Sequence, residues 1–463
     1  MRKILFIFAI LLFLFSCDNK GCNNEVVEFT HSGILTFYLD EVPNDVLKTI
    51  KLKVINKGNE KVLGLDDKTI KVRDFKFDQV GDYVALVEYK NNTYRLKYKV
   101  EIRKWDGKVD TAWYKDNINT FELNTANELA GLADLVNKGN DFENRTIKLK
   151  YDIDLNNLPW IPIGTNGKGK QDELDKFFKG NFDGNNKTIY NLYTEAKHEK
   201  QNEHLEEASS YYHFGLFGYV KNSTLKNVKF QNVKIINGMT NGYVRSFQGT
   251  GALVGYANGE VLIDNVKVLG NILIKGEYKV GGIIGSCSGS SISVKNCVIR
   301  GIKNSFIGGT DAEYKDTNNY GGLVGFSSSS KTTIENVISD IDVDGFTSGG
   351  IVGNVTEGSL EIKNACVYGN ISNKEGSVVG GFVGGRFVSM VLNHCYLVGS
   401  VTSLDKSYAD IIVSKYGDTG EVISVSEVYY NSNNYDSEKV NNTLNVTGLT
   451  NDELKNKIPE DLK

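Results

Sequence analysis

The sequence predicts an all-β fold whose larger part is a β-solenoid, in which the short strands of successive repeats stack in parallel. A core of one small residue, two apolar residues and a glycine recurs six times, and an asparagine recurs at an equivalent point after most copies. A repeat of about 30 residues with short strands and no helix cannot bury its own apolar face, so successive repeats must stack. All four prolines lie outside the repeats, as expected where every backbone N–H joins a strand ladder.

The first residues predict export and lipid anchoring. Two basic residues precede an apolar run over residues 4–15, which is shorter than the roughly 20 residues that span a bilayer and is typical of a secretory signal. Residues 14–17, Leu-Phe-Ser-Cys, resemble a bacterial lipobox. The resemblance implies a signal peptide over residues 1–17, acylation of Cys17, a tether over residues 18–25, and anchoring in the bacterial cell envelope, at the outer membrane or cell surface. The alternative is an ordinary secreted protein in which this cysteine occurs by chance.

Composition excludes several classes of function. The net charge is −4 and basic and acidic residues are interspersed, whereas a protein that binds nucleic acid needs a basic face. The sequence has no Walker loop, no GxSxG motif and no nucleotide-binding glycine fingerprint, so no cofactor is predicted. Five cysteines follow Cys17 and none forms a CxxC pair, which favours free thiols over disulfides: Cys22, Cys287, Cys297, Cys366 and Cys395.

Residues 26–103 predict a small β-sandwich. Apolar and polar residues alternate there in short runs, and two such runs, residues 84–89 and 93–102, flank Asn91-Asn92, which suits a tight hairpin turn. Residues 78–83 resemble the D-x-x-G-x-Y corner of bacterial immunoglobulin-like domains, in which the tyrosine hydroxyl bonds to nearby backbone. The resemblance implies an immunoglobulin-like spacer.

Residues 104–177 predict an N-terminal cap and leader. Thr125 and Glu128 have capping-box spacing, and apolar residues follow at helical intervals, which predicts one amphipathic helix of about a dozen residues. Residues 145–155 return to strand alternation. A single helix beside the first strands suits a cap over the open end of a β stack.

The repeats occupy residues 178–435. The six glycine cores are residues 215–218, 252–255, 282–285, 322–325, 350–353 and 381–384. The asparagine positions are Asn227, Asn265, Asn296, Asn336 and Asn364, continued by His394 and Glu427. Stacked asparagines can hydrogen-bond along the stack as an amide ladder, and glycine permits the corners.

These cores resemble the GLUG-motif family, named for Gly-Leu-apolar-Gly, and residues 178–192 look like the segment that opens such arrays. The resemblance implies a right-handed parallel β-helix in a bacterial surface protein. Some proteins with such arrays are immunoglobulin A peptidases that carry HExxH, which this chain lacks. Residues 436–463 depart from the pattern. Thr450 and Glu453 suggest a short closing helix there, with cleavage or flexibility of this tail as the alternatives.

Catalytic and metal patterns are weak, so the sequence predicts no enzyme and no metal site. His198 and His204 are too far apart to share a zinc ion on one helix face, and a solvated loop is the better interpretation. A row of Asp340, Asp342 and Asp344, or Asp311 with Glu313, could serve a β-helix carbohydrate enzyme. Solvated acidic residues are the alternative.

Insertions precede the glycine cores at residues 194–213, 237–250 and 303–320, and equivalent points of a solenoid superpose along one edge. They carry side chains favoured in recognition surfaces. The candidate ligand-binding residues are Tyr211, Tyr212, Tyr243, Arg245, Phe247, Tyr314 and Tyr320. The alternative is that these tyrosines pack on their own repeat. The predicted function is a non-catalytic adhesin for host or environmental glycan, glycoprotein or matrix, with a carbohydrate-active enzyme and a structural stalk as the alternatives.

Overall fold

In the computed structural model the described residues are 25–31, 33–164, 176–198, 213–239, 249–309, 318–373, 378–386, 388–403, 409–414, 423–435 and 445–463. Cys17, Cys22, the predicted signal peptide and nearly all of the tether lie outside them. The described chain consists mostly of β-strand, which confirms the all-β prediction at this level. Within the described part of the chain, every helix is too short or too polar to cross a membrane.

The chain divides into two compact units, residues 1–101 and 102–463. The elements of the first unit are β1 (Glu25–Phe29), β2 (Leu35–Tyr38), α1 (Pro43–Thr49), β3 (Lys51–Asn56), β4 (Asn59–Gly64), β5 (Ile70–Arg73), β6 (Gly81–Tyr89) and β7 (Asn92–Glu101). They form a three-stranded antiparallel sheet, β1-β3-β4, and a four-stranded sheet, β2-β7-β6-β5, in which β2 runs parallel to β7. Helix α1 was not predicted, because seven residues give too little periodicity to detect.

The predicted hairpin is present, with its turn one residue earlier than expected. Tyr89 pairs with Asn92, so Lys90 and Asn91 form the turn, and Lys90 takes a left-handed φ of 56°. Because Asn92 is the first residue of β7, only Asn91 of the asparagine pair lies in the turn. The hydroxyl of Tyr83 donates to the carbonyl of Gln79 at 3.0 Å, which is the backbone tie expected of the D-x-x-G-x-Y segment.

The second unit begins with β8 (Thr120–Leu123), α2 (Ala126–Asn137), β9 (Thr146–Leu149) and β10 (Ile153–Asp154). The predicted helix is confirmed: Thr125 Oγ1 accepts from the Glu128 backbone N–H, and the Glu128 carboxylate accepts from the Thr125 N–H. Leu129, Leu132 and Val136 on its inner face are fully buried in the same core as the repeats. The helix therefore covers apolar side chains at the start of the stack.

The repeat strands follow in chain order. They are β11 (Asn181–His198), β12 (Phe217–Lys221), β13 (Thr224–Met239), β14 (Gly249–Thr250), β15 (Val254–Gly276), β16 (Lys279–Gly281), β17 (Ile284–Lys295), β18 (Val298–Gly301), β19 (Phe306–Gly308), β20 (Asn319–Gly321), β21 (Val324–Ser329), β22 (Thr332–Asp340), β23 (Asp342–Asp344), β24 (Thr347–Gly349), β25 (Val352–Val355), β26 (Ser359–Val367), β27 (Ile371–Ser372), β28 (Val379–Gly380), β29 (Val383–Arg386), β30 (Ser389–Leu397), β31 (Val401–Thr402), β32 (Ala409–Asp410), β33 (Ile423–Asn431) and β34 (Val446–Leu449).

Strands of successive repeats pair in parallel, so equivalent residues form columns. One interior column, almost wholly buried, is Leu225, Ile263, Val294, Ile334, Ile362 and Leu392. Each repeat turns a corner at its glycine core. We call the strand before this core the pre-corner strand (β14, β16, β20, β24, β28 and β32) and the strand after it the post-corner strand (β12, β15, β17, β21, β25 and β29).

Glycines within the glycine cores or directly before them, here called the corner glycines, are required by close packing of backbone. A Cβ on Gly281 would collide with the Ile284 carbonyl, and a Cβ on Gly285 would collide with the backbone of Gly249 and Thr250 in the preceding repeat. Neither glycine has a positive φ. The pre-corner strand of one repeat and the post-corner strand of the next therefore lie back to back, at a separation that only glycine allows.

The asparagine ladder is confirmed, with one break. Each ladder residue has a left-handed φ between 48° and 55°, including the substitutes His394 and Glu427. Amide bonds join Asn265 to Asn227 at 2.9 Å, Asn336 to Asn296 at 3.1 Å, and Asn364 to Asn336 at 3.0 Å. Asn296 instead donates to Asp264 at 2.7 Å. The ladder satisfies side-chain amides at the position where asparagine best tolerates the required φ.

The closing helix is present as α3 (Asn451–Lys457), with Glu453 accepting from the Thr450 N–H at 2.9 Å. Residues 445–463, here called the C-terminal strap, place buried Leu454, Ile458 and Leu462 against an outer column. That column contains Ile338, Cys366 and Tyr396. The strap thus covers an apolar flank of the later repeats.

Candidate ligand-binding cleft

Most of the sequence-predicted ligand-binding residues lie outside the described residues. These are Tyr211, Tyr212, Tyr243, Arg245, Phe247 and Tyr314, and the lipidation residue Cys17 lies outside them as well. The described part of the chain resumes at His213, Gly249 and Asn318, which lie within the last three residues of the respective insertions. Asp311, Glu313 and His204 are also outside it.

Tyr320 lies in the interior. It is 2% exposed, its ring packs against Gly345, and its hydroxyl donates to the carbonyls of Gly276 and Glu277 at 3.3 and 3.4 Å. It belongs to the pre-corner strand β20, in register with buried Val280. A buried ring is unavailable to a surface ligand, so we remove Tyr320 from the ligand-binding set.

The acidic row is engaged in contacts within the stack. Asp340 accepts from Arg300 Nε at 3.1 Å, Asp342 accepts from the Asn370 backbone and amide, and Asp344 accepts from Ser372 Oγ at 2.9 Å. Burial raises the pKa of Asp340, against the opposing effect of the Arg300 charge. Among the described residues no group of three or more His, Cys, Asp or Glu side chains could hold a metal ion.

The four cysteines within the described residues, Cys287, Cys297, Cys366 and Cys395, are free and buried, as predicted. Burial raises the pKa of the Cys287 thiol to about 11 and the pKa of the other three to about 12. Reactive cysteines have lowered pKa values and are accessible. These thiols therefore act as small apolar residues in the core.

The structure instead brings aromatic residues together at one outer column. The residue directly after the last glycine of each core begins the outward face of the post-corner strand, because the next residue along is buried in the interior. These residues are in register from repeat to repeat: Tyr219, Tyr256, Ser286, Phe326, Asn354 and Gly385. The early repeats thus place aromatic rings where the later ones have Asn and Gly.

The rings stack along this column. The ring centroids of Phe177 and Tyr219 are 4.3 Å apart, and those of Tyr219 and Tyr256 are 4.8 Å apart with nearly parallel planes at 11°. Phe326 lies two repeats beyond Tyr256. We call these four residues the aromatic column. All four are partly exposed.

Residues at the pre-corner strands lie across from the aromatic column, and we call the surface where the two meet the cleft. His213 stacks on Tyr219 and Tyr256 with centroid distances of 5.2 and 5.0 Å, and its Nδ1 accepts from the Gly249 N–H at 3.0 Å. Burial lowers the pKa of His213 to about 3, with a smaller contribution from the charge on Lys279. His213 is therefore uncharged at neutral pH and contributes an aromatic ring to the cleft.

Lys279 lies on the same side one repeat further than Gly249. Its Nζ is 3.9 Å from the centroid of the Phe326 ring, a cation–π contact. Removal from water lowers the pKa of Lys279 to about 8, so most molecules carry the charge at neutral pH. The cleft thus combines stacked rings with the Lys279 ammonium.

One level of the cleft is lined by small residues. Gly249 faces Ser286 there, with Tyr256 and His213 on one side and Phe326 and Lys279 on the other. We call this level the serine notch. Ser286 is 1% exposed, and its hydroxyl has no hydrogen-bond partner among the described residues.

Sequence reasoning missed this cleft, although its signal is present in the sequence. The residue that follows the last glycine of each core is aromatic in three of the six repeats. Attention to insertion length pointed to loop residues, whereas position within the repeat would have identified Tyr219, Tyr256 and Phe326. The contributions of His213 and Lys279 required the back-to-back packing of strands, which the sequence does not display.

Comparisons with known proteins give only distant likenesses. No protein-family model matches the chain, and no curated protein matches it. A solved structure named IgA1 protease is similar with a TM-score of 0.44 and 18% identity over 83% of this chain, and this chain spans 26% of that protein's length. A second, a Bacteroides ovatus protein assigned in its name to the immunoglobulin A1 proteases, gives a TM-score of 0.41 and 17% identity over 73% of this chain and 86% of its own.

These names correct one prediction. The sequence predicted a protein that is not an enzyme, and both similar structures are named as proteases, so that prediction is withdrawn. At TM-scores below 0.5 the likenesses assign no reaction and no substrate to this chain.

Proposed function

We propose that this chain is a lipoprotein of the bacterial cell surface, anchored through Cys17, that binds glycan or glycoprotein and acts as an adhesin. In this proposal residues 18–25 are a tether, residues 26–103 an immunoglobulin-like spacer and residues 104–177 a cap. Residues 178–435 form a right-handed parallel β-helix of the GLUG type. Parallel, in-register pairing of successive repeats and the buried interior columns support that architecture.

The observation that carries the binding function is the aromatic column. Sugar rings have apolar C–H faces and polar edges, so proteins bind them with aromatic side chains flanked by hydrogen-bonding groups. The column offers partly exposed rings beside polar groups: the Tyr256 hydroxyl lies 2.5 Å from Ser288 Oγ, and Asn258 Nδ2 donates to Ser288 at 2.9 Å. These contacts hold the ring of Tyr256 in a fixed orientation before a ligand arrives.

The proposed binding surface also includes residues of the insertions. Tyr212 is covalently joined to His213, and residues 241–248 lead directly into Gly249, so two insertions begin or end at the cleft. We therefore keep Tyr211, Tyr212, Tyr243, Arg245, Phe247 and Tyr314 as proposed contributors to one binding surface. Sequence connectivity supports this grouping for the first two insertions, and Tyr314 is included because the third insertion occupies the equivalent place in its repeat.

The test applies purified residues 18–463 to immobilised mucins, matrix proteins and glycans, and scores both retention and released product. The double variant Tyr219→Ala with Tyr256→Ala should weaken retention about tenfold or more, because truncating central aromatic residues of a binding site costs at least about 1–2 kcal/mol. Tyr193→Ala is the matched control, since Tyr193 is partly buried on another face and bonds to Glu195.

Two results would count against the proposal. Retention that is unchanged in a folded double variant would remove the aromatic column from the binding surface. Released oligosaccharide or peptide would replace binding by catalysis as the primary function. Circular dichroism of each variant verifies that the strands remain folded.

A further inference from the structure

A patch of outward side chains on three successive strands lies beside the asparagine ladder. It consists of three pairs of residues that are in register from β11 through β13 to β15: Thr188 and Tyr190, Lys229 and Gln231, and Lys267 and Leu269. All six side chains are partly exposed, because the residue between the members of each pair is buried in the interior. We call these six residues the lysine patch.

The two lysines of the patch place charges of the same sign next to each other. In-register residues of neighbouring strands lie about 4.8 Å apart, and like charges directly opposite each other are destabilising. A different outer column of the same sheet, here called the charge column, alternates in sign at every step: Lys148, Asp183, Lys226, Asp264, Lys295, Glu335 and Lys363. Lys229 and Lys267 therefore depart from an alternation that the same strands follow elsewhere.

Within the described part of the chain, neither of these two ammonium groups has an acidic partner. In the charge column, by contrast, Lys226 Nζ lies 3.9 Å from Asp183. Asp152 and Asp154 precede the patch on the same face, and both already accept hydrogen bonds from neighbouring groups at 2.8 Å. The patch thus presents two available cations beside an aromatic ring and an amide.

The C-terminal strap shows how an elongated segment lies on this flank. In the later repeats the strap packs on the column that contains Lys229 and Lys267, and the apolar cluster beneath it extends to Val298. Val298 is in register with Lys267. A second elongated chain on the lysine patch would therefore continue the path of the strap toward the early repeats.

We infer that the lysine patch binds an acidic glycan, with a sugar carboxylate between the ammonium groups of Lys229 and Lys267. A carboxylate has two oxygens and accepts a charge-assisted hydrogen bond from each lysine. The Tyr190 ring suits the apolar face of a sugar, and the Gln231 amide suits its hydroxyl groups. This site lies on strands other than those of the aromatic column, so the inference goes beyond the proposed function of that column.

The experiment measures the binding of a hyaluronan octasaccharide and of its neutral methyl ester to residues 18–463 by titration calorimetry. We expect the acid to bind about tenfold more tightly than the ester, the effect of one charge-assisted contact. The double variant Lys229→Met with Lys267→Met should reduce this preference to about twofold or less, because methionine keeps the apolar stem and removes the charge.

Lys267→Glu separates binding from folding. It places opposite charges in register, as in the charge column, so the acid preference should disappear while the midpoint of thermal unfolding stays at or above that of the parent protein. A loss of binding together with a lower midpoint would assign the lysines a structural role and overturn the inference.

Two controls isolate the patch. Lys226→Met removes a charge from the same strand, β13, but from the charge column, and should keep the preference of about tenfold. The double variant Tyr219→Ala with Tyr256→Ala should also keep this preference, even where it loses retention on immobilised glycans.

The possible failures are distinguishable. An acid preference that survives the double lysine variant, or that is lost in the double tyrosine variant, places the acid-binding site elsewhere and overturns the inference. Binding of an octaglutamate peptide as tight as that of the octasaccharide overturns the assignment to a glycan. If neither form of the octasaccharide binds, the inference fails, whereas retention on immobilised glycans still tests the proposed function separately.

Discussion

The early and late repeats share the same interior but differ on their outer columns. The interior column through Leu225, Ile263 and Ile362 is buried from end to end. On the cleft face, aromatic rings at Tyr219 and Tyr256 give way to Asn and Gly. The interior columns therefore determine how the repeats stack. The outer columns determine what binds or covers the early and the late repeats.

A second outer column shows the same division. It reads Thr188, Lys229, Lys267, Val298, Ile338, Cys366, Tyr396 and Tyr429 from the first repeat to the last. The polar part is solvated and the apolar part lies under the C-terminal strap, with the last carbonyl, that of Lys463, accepting from Arg300 Nη2 at 2.7 Å. The strap thus ends close to the point where the column changes from lysine to apolar residues.

The largest loss of stability should come from substituting the corner glycines, which the early and late repeats share. Gly281→Ala and Gly380→Ala each place a methyl group against backbone, at Ile284 in the early half and Val383 in the late half. We expect each to lower the free energy of unfolding by about 3 kcal/mol or more, because backbone cannot move aside as a side chain can. Chemical denaturation of residues 18–463 measures this.

Gly107→Ala is the control for these glycine variants. Gly107 has a φ of 82° and the nearest atom to an added Cβ is 3.9 Å away, so this variant introduces backbone strain without a collision. Its loss should be about 1 kcal/mol. Equal losses at Gly107 and Gly281 would contradict the explanation that close backbone packing requires the corner glycines.

The next largest effect concerns the C-terminal strap and should differ between the early and the late repeats. Leu454→Ala removes a side chain that is 1% exposed against Ile338, Cys366 and Tyr396. Such truncations cost about 2–5 kcal/mol when the site cannot collapse. Amide hydrogen exchange should therefore rise in the strap and in the late strands β26, β30 and β33.

The early strands β11 and β13 should exchange in the Leu454→Ala variant as they do in the parent protein. Exposed Lys455→Ala is the control in the same helix. A uniform increase in exchange along the whole stack would mean that the strap stabilises the entire fold rather than one flank.

The sequence predicted the repeats, the helix α2 and the ladder because each depends on local spacing. It did not predict the strap contacts, although Ile338, Cys366 and Tyr396 each follow an inward apolar residue and so break the alternation of a strand exposed on one face. Two adjacent apolar residues in a strand indicate burial on both faces, but the covering segment is distant in sequence. The same limit applies to Lys279 and Phe326, which meet only through the back-to-back packing of strands.

The smallest effect is a pH dependence confined to the early repeats. The pKa of His213 is about 3 in the folded protein, below its usual value of 6.5. As pH falls below 6.5 the unfolded chain therefore binds a proton that the folded protein excludes, so stability is full above that pH and declines toward pH 3. At pH 5 the loss is about 2 kcal/mol relative to pH 7.

His213→Gln should remove most of this loss, although its packing against Tyr219 and Tyr256 changes the absolute stability at both pH values. The quantity to compare is the difference in unfolding free energy between pH 7 and pH 5, with His394→Gln, in the later part of the ladder and partly exposed, as control. Hydrogen exchange at pH 5 should show β12 and β15 opening before β30. An equal pH dependence in the parent protein and His213→Gln would place the acid-sensitive group elsewhere, and the early half would then owe its difference to the aromatic column alone.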